Sequence, residues 1–135
     1  MKQKTRKKSA FTLIEIMVVV VILGILAAAI IPQFMGSTED AKVSTAQSDI
    51  ATLENALERF NLKMDRYPTT EEGLKALTIA PSGEEEKWGP APYIKVLRPD
   101  PWGNPYQYRI PGTHHESGFD LWSSGGNGGK EIGNW

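Results

Sequence analysis

The sequence predicts an α+β protein: a long N-terminal helix, its first half able to cross a membrane, its second half packed on a small antiparallel β-sheet. Three observations predict this class. Residues 11–31 are apolar apart from Thr12, Glu15 and Gly24. Val43, Ala46, Ile50, Leu53, Leu57, Phe60 and Met64 recur at spacings of three and four, which places them along one helical face. Tyr106, Tyr108 and Ile110 alternate with Gln107 and Arg109 as a half-buried strand does, and 119–122 offers a second strand across the loop 111–118.

As a helix the apolar run would extend about 30 Å, the hydrocarbon thickness of a bilayer. Lys2, Lys4, Arg6, Lys7 and Lys8 precede it with no acid among them. By the positive-inside rule such a tail stays in the cytoplasm and the rest of the chain lies outside. Glu15 stands about one turn into the run, where an unpaired carboxylate costs on the order of 2–3 kcal/mol. Either it reaches water at the interface, or a positive charge from processing or from another subunit pairs with it.

Pro32 and Gly36 interrupt the run where it should leave the bilayer. Proline removes one intrahelical hydrogen bond and crowds the preceding turn, so a kink or a locally melted segment is expected between Ala29 and Ser37. The helix then resumes with its apolar stripe, opposite Thr45, Gln47, Ser48, Asn55, Glu58 and Arg59. A coiled coil could use the same stripe, but three heptads with Ala at one position favour burial against strands.

In Tyr67-Pro68-Thr69-Thr70-Glu71-Glu72-Gly73-Leu74, Pro68 ends the preceding element, and Thr69 with Glu72 forms a capping box that starts a short helix through about Leu77. Residues 80–92 hold Pro, Gly and the run Glu84-Glu85-Glu86-Lys87, a composition that reads as a solvated surface loop. Adjacent acids in such a loop lack the fixed geometry of a metal cluster. The prolines of 97–105 and the adjacent Gly103-Asn104 mark turns leading into the predicted hairpin.

Composition excludes several function classes. With the first 31 residues set aside, roughly a hundred remain, enough for one modest core. The formal net charge is −1 with the basic residues concentrated at the start, so no nucleic-acid footprint is present. There is no Cys, hence no disulfide frame and no thiol chemistry. His114, His115 and Glu116 are consecutive: on a strand they alternate faces and on a loop they are unfixed, so neither arrangement makes a metal triad. Ser117, Ser123 and Ser124 lack a nucleophile elbow, and no glycine-rich phosphate loop accompanies them. No catalytic or cofactor-binding residue is predicted, and the chain does not read as an enzyme.

The stretch Ala10-Phe11-Thr12-Leu13-Ile14-Glu15-Ile16-Met17-Val18-Val19 behind its basic leader resembles the class III signal of the type IV pilin and type II secretion pseudopilin superfamily. Further along, 67–74, 100–106, Asp120-Leu121-Trp122-Ser123 and Ile132-Gly133-Asn134-Trp135 resemble the major pseudopilins of type II secretion. The resemblance implies a pilin-like fold divided into a leader (1–10), a transmembrane and filament-core helix (11–31) and a periplasmic domain (32–135). It implies that a prepilin peptidase cuts between Ala10 and Phe11 and methylates the new amine; Ala10 replaces the family's Gly, which implies slower cleavage. Glu15 would then pair with the Phe11 amine of a neighbouring subunit, and Pro32 matches the family's proline.

The partners so implied are further copies in a filament, minor pseudopilins, an inner-membrane assembly platform with its cytoplasmic ATPase, the inner membrane itself and an outer-membrane secretin. Growth of the filament would push folded exoproteins through that secretin. The alternative within the superfamily is an adhesive or motility pilin, which more often carries a disulfide-bounded loop. A secretory signal cut near Ala27-Ala28-Ala29, or an anchored monomeric binding module, leaves Glu15 without a role.

The family usually binds calcium in the loop between Ser123 and Trp135. Calcium takes six to eight oxygen ligands, several of them carboxylates. Here Asn127 occupies the first Asp position, the loop is shorter, and Ser124, Asn127 and Glu131 are the remaining candidate ligands. Weak or no calcium binding is expected, with glycine turns and a Lys130 salt bridge in place of the ion.

Overall fold

The computed structural model describes residues 2–3 and 10–135 and, within the first helix, the backbone but not the side chains of 31–35 and 37. Lys4, Arg6, Lys7 and Lys8 of the leader and the side chain of Pro32 therefore lie outside the described residues. Two compact units are present, Met1–Glu39 and Asp40–Trp135.

Helix α1 runs over Leu13–Met64 without a break in its helical backbone. The melted segment expected between Ala29 and Ser37 does not occur. Pro32 has no N–H to offer the carbonyl of Ala28, but one missing bond with full turns on both sides does not end a helix of this length. What ends it is Asp65, which adopts a left-handed conformation at φ 58°. Lys87 closes that end: its Nζ donates to the Met64 carbonyl and to Asp65 Oδ2, both at 3.1 Å, setting a cation at the negative pole of the helix.

In the second unit the predicted stripe is the core. Ala46, Ile50, Leu53, Leu57, Phe60 and Met64 are buried, Val43 is half-buried, and Ala56 joins them. Leu74, Ala76 and Leu77 pack onto this face from the 3₁₀ helix Gly73–Leu77, and Tyr106, Phe119 and Leu121 pack from the sheet side. The capping box forms as the sequence predicts, Thr69 N–H donating to Glu72 Oε2 at 2.9 Å and Glu72 N–H to Thr69 Oγ1 at 3.2 Å. The element it opens is 3₁₀ rather than α.

Residues 80–92 are not the plain solvated loop that their composition suggests. Helix α2 (Glu85–Trp88) lies there and sends Trp88 into the core, its indole N–H donating to the Ala76 carbonyl at 2.7 Å. Glu84 binds Arg66 at 2.7 Å, and the same guanidinium grips Glu72 through both carboxylate oxygens. Those hydrogen bonds hold Glu72 below the usual carboxylate range. One short charged segment thus covers the core and ties down the turn after α1.

The sheet has three antiparallel strands in the order β1 (Gln107–Arg109), β2 (Asp120–Ser123) and β3 (Ile132–Gly133). Gln107 pairs with Trp122 and Arg109 with Asp120, so the predicted hairpin is present; Ser123 pairs with Ile132 in a third strand the alternation did not reveal. Phe60→Ala removes a fully buried ring and is expected to cost about 3–5 kcal/mol. Leu62→Ala, on the opposite face and 81% exposed, should stay within about 0.5 kcal/mol, both read by urea denaturation.

Candidate functional site

In the first unit the described apolar side chains of the helix are exposed. Leu13–Ile30 is long and apolar enough to cross a membrane, and none of that window is buried. Exposed aliphatic surface of this extent requires lipid or other apolar helices around it. Ala10, Phe11 and Thr12 precede the helix in irregular backbone, and Phe11 is 83% exposed.

Glu15 has a partner within its own chain. Thr12 N–H donates to Glu15 Oε2 at 2.9 Å and Glu15 N–H donates to Thr12 Oγ1 at 3.4 Å, a second capping box. The carboxylate therefore sits against the positive end of the α1 dipole and accepts one of the N–H groups the first turn leaves unpaired. Water at the interface, or a positive charge from processing or from another subunit, are the explanations open from the sequence; the local cap is a further one. The Thr-x-x-Glu spacing of Thr12 and Glu15 could have revealed it.

The second unit contains a buried carboxylate that the sequence reading passed over. Asp120, on β2 and 1% exposed, accepts from the backbone N–H groups of Thr113, His114 and His115 at 2.7, 2.9 and 3.1 Å, and from Thr113 Oγ1 at 3.0 Å. The Nδ1 atoms of His114 and His115 each approach it at 3.2 Å. Burial works to raise its pKa, but these donors prevail and hold the carboxyl well below the usual range. Far from being unfixed, both histidines wrap the loop 111–118 onto β2, and His114 stacks on Trp135 with ring centroids 3.7 Å apart. The rings border an open cleft shared with Glu54, Glu58 and Tyr67.

Around the third strand, Asp100 is the organising acid. Its Oδ1 accepts from Trp102 N–H at 3.1 Å and Asn104 N–H at 2.8 Å, its Oδ2 from Ser123 Oγ at 2.5 Å, and Ser123 Oγ accepts from Gly125 N–H at 3.1 Å. Ser124, Asn127 and Glu131 are all exposed. Among the described residues they form no group of acids able to hold a metal, and Asp100 already faces donors on both oxygens. These residues do not fit a calcium ion. The expected Lys130 ion pair is not formed among the described residues; Lys130 instead sets its carbonyl against Gly125.

An exposed apolar helix continuing into a small unit with a three-stranded antiparallel sheet is the architecture of a pilin-like subunit. Comparison narrows the class. The prokaryotic N-terminal methylation motif matches residues 5–31, and the family "Type II secretion system (T2SS), protein G" matches 33–134. Proteins named type II secretion system core protein G are 48% identical in Pseudomonas aeruginosa (96% of each chain) and 45% identical in Vibrio cholerae (98% of this chain, 95% of that one). The crystal structure of the major pseudopilin from the type 2 secretion system of enterohaemorrhagic Escherichia coli aligns with a TM-score of 0.62 at 37% identity, over 75% of this chain and 88% of that one. The chain belongs to the type II secretion protein G family, the pseudopilins, and is not an enzyme.

Because the Asp120 carboxyl is depressed, its stabilising contribution is complete above the unfolded aspartate value of about 3.9 and is lost as pH falls below it. Asp120→Asn should therefore weaken the second unit at neutral pH. Urea denaturation at successive pH values should show the gap to the wild type narrowing between about pH 5 and pH 2.

Proposed function

We infer that this chain is the major structural subunit of a type II secretion pseudopilus, held in the inner membrane by its apolar helix and polymerised to drive folded exoproteins through an outer-membrane secretin. Family membership across nearly the whole length carries the reading, and it favours secretion over an adhesive or motility pilus. The apolar residues of 13–30 supply what both states need: surface for lipid in the free subunit, and surface for neighbouring helices in the filament. The basic residues ahead of them support an N-terminus in the cytoplasm and a periplasmic C-terminal domain.

In this reading a prepilin peptidase cuts between Ala10 and Phe11 and methylates the new amine. Glu15 then exchanges its local Thr12 cap for the Phe11 amine of a neighbouring subunit, so that two charges enter the filament core as a pair. An assembly platform with its cytoplasmic ATPase, and minor pseudopilins, complete the machine.

Intact mass and N-terminal sequencing of the protein recovered from membranes containing the peptidase should find a chain beginning at methylated Phe11. A retained leader, or a cut near Ala29, would overturn the reading. Glu15→Ala leaves the neighbour's amine buried and unpaired, a loss of about 3–5 kcal/mol per contact, and should abolish filaments and secretion while the variant still inserts and is processed.

A further inference from the structure

Two loops meet beside the third strand, and the buried carboxylate where they meet, Asp100, is already engaged. From 100–104 come Asp100 and Trp102; from 123–131 come Ser123, Gly125 and Gly126. Asp100 bridges the two through Ser123 Oγ, and Ser123 passes the contact on to Gly125 N–H. Gly125 has a φ of +71°, and a Cβ there would stand 2.8 Å from the Lys130 carbonyl, so the two sides of the loop touch backbone to backbone. A Cβ on Gly126 would stand 2.8 Å from Trp102 Nε1: the indole lies directly on the glycine. The turn is completed by Gly129 N–H donating to the Gly126 carbonyl at 2.7 Å.

A calcium ion holds a loop by drawing oxygens together from separate segments. Here that convergence comes from donors directed at Asp100 and from an aromatic plate pressed onto a glycine. Any cation approaching Asp100 would have to displace three N–H or O–H groups already facing its oxygens. We propose that this chain closes its C-terminal loop without a divalent cation, with the Asp100–Ser123 hydrogen bond and the Trp102–Gly126 contact doing what a bound ion would otherwise do. The domain accordingly folds to the same stability whether calcium is present or chelated. This inference concerns loop closure alone and stands apart from the secretion reading.

The test is thermal unfolding of the full chain in detergent micelles, followed by circular dichroism, in excess EDTA and again in millimolar calcium. The expected result is one midpoint in both. A midpoint that rises with calcium would overturn the proposal. Gly126→Ala, which forces the indole off the backbone, and Trp102→Ala, which removes it, should each lower the midpoint by several degrees, and calcium should restore neither. An unchanged midpoint in both variants, or rescue of either by calcium, would show that the indole does not replace an ion. Ser124→Ala with Asn127→Ala and Glu131→Ala should melt like the wild type in both solutions; a loss confined to the calcium sample would identify these side chains as ligands and overturn the proposal.

Discussion

One helix has to satisfy two solvents. Its first eighteen positions, nearly all apolar, are not buried in the chain, whereas 46–64 form the floor on which the second unit is laid. Everything in the second unit is arranged to keep that floor covered: Leu74 and Leu77 from the 3₁₀ helix, Trp88 from α2, Tyr106 and Leu121 from the sheet. The sheet is too small to make a core by itself, since strands of two to four residues gain independent stability only by packing on something else. The helix is that something.

Irregular segments dominate the rest of the unit, and there is no disulfide to hold them. Three acids take on that task, each tying a turn or loop to a neighbouring part of the fold. Glu72 joins the capping box to Arg66, Asp100 joins its own turn to β2 through Ser123, and Asp120 gathers the loop 111–118. Each is met by several donors, which is the condition for burying a carboxylate without large cost. Gly112 shows how closely the last of these is packed, because a Cβ at that position would overlap the Asp120 carboxylate.

What the sequence made legible was whatever repeats over short range. The stripe from Val43 to Met64, the Thr69–Glu72 box and the alternation around Tyr108 each express a local period or a fixed offset, and each is found in place. Trp88 was hidden because its charged neighbours dominate the composition of the segment while only one residue turns inward. The roles of Asp100 and Asp120 were hidden because carboxylates that collect loop N–H groups follow no period along the chain, and the Ser123 contact of Asp100 joins residues 23 apart. Of the two outcomes expected at Pro32, the melted segment is absent, because a helix this long absorbs one lost hydrogen bond. At the N-terminus the methylation motif was legible, whereas the Thr12 cap on Glu15 was passed over although its Thr-x-x-Glu spacing stands in the sequence.

The cap at Glu15 also bears on the helix itself. With Thr12 N–H on one carboxylate oxygen and the positive end of α1 beside it, the acid enters whatever surrounds the helix already partnered. The first turn is thus held by the chain's own groups, and its order does not wait on a neighbour.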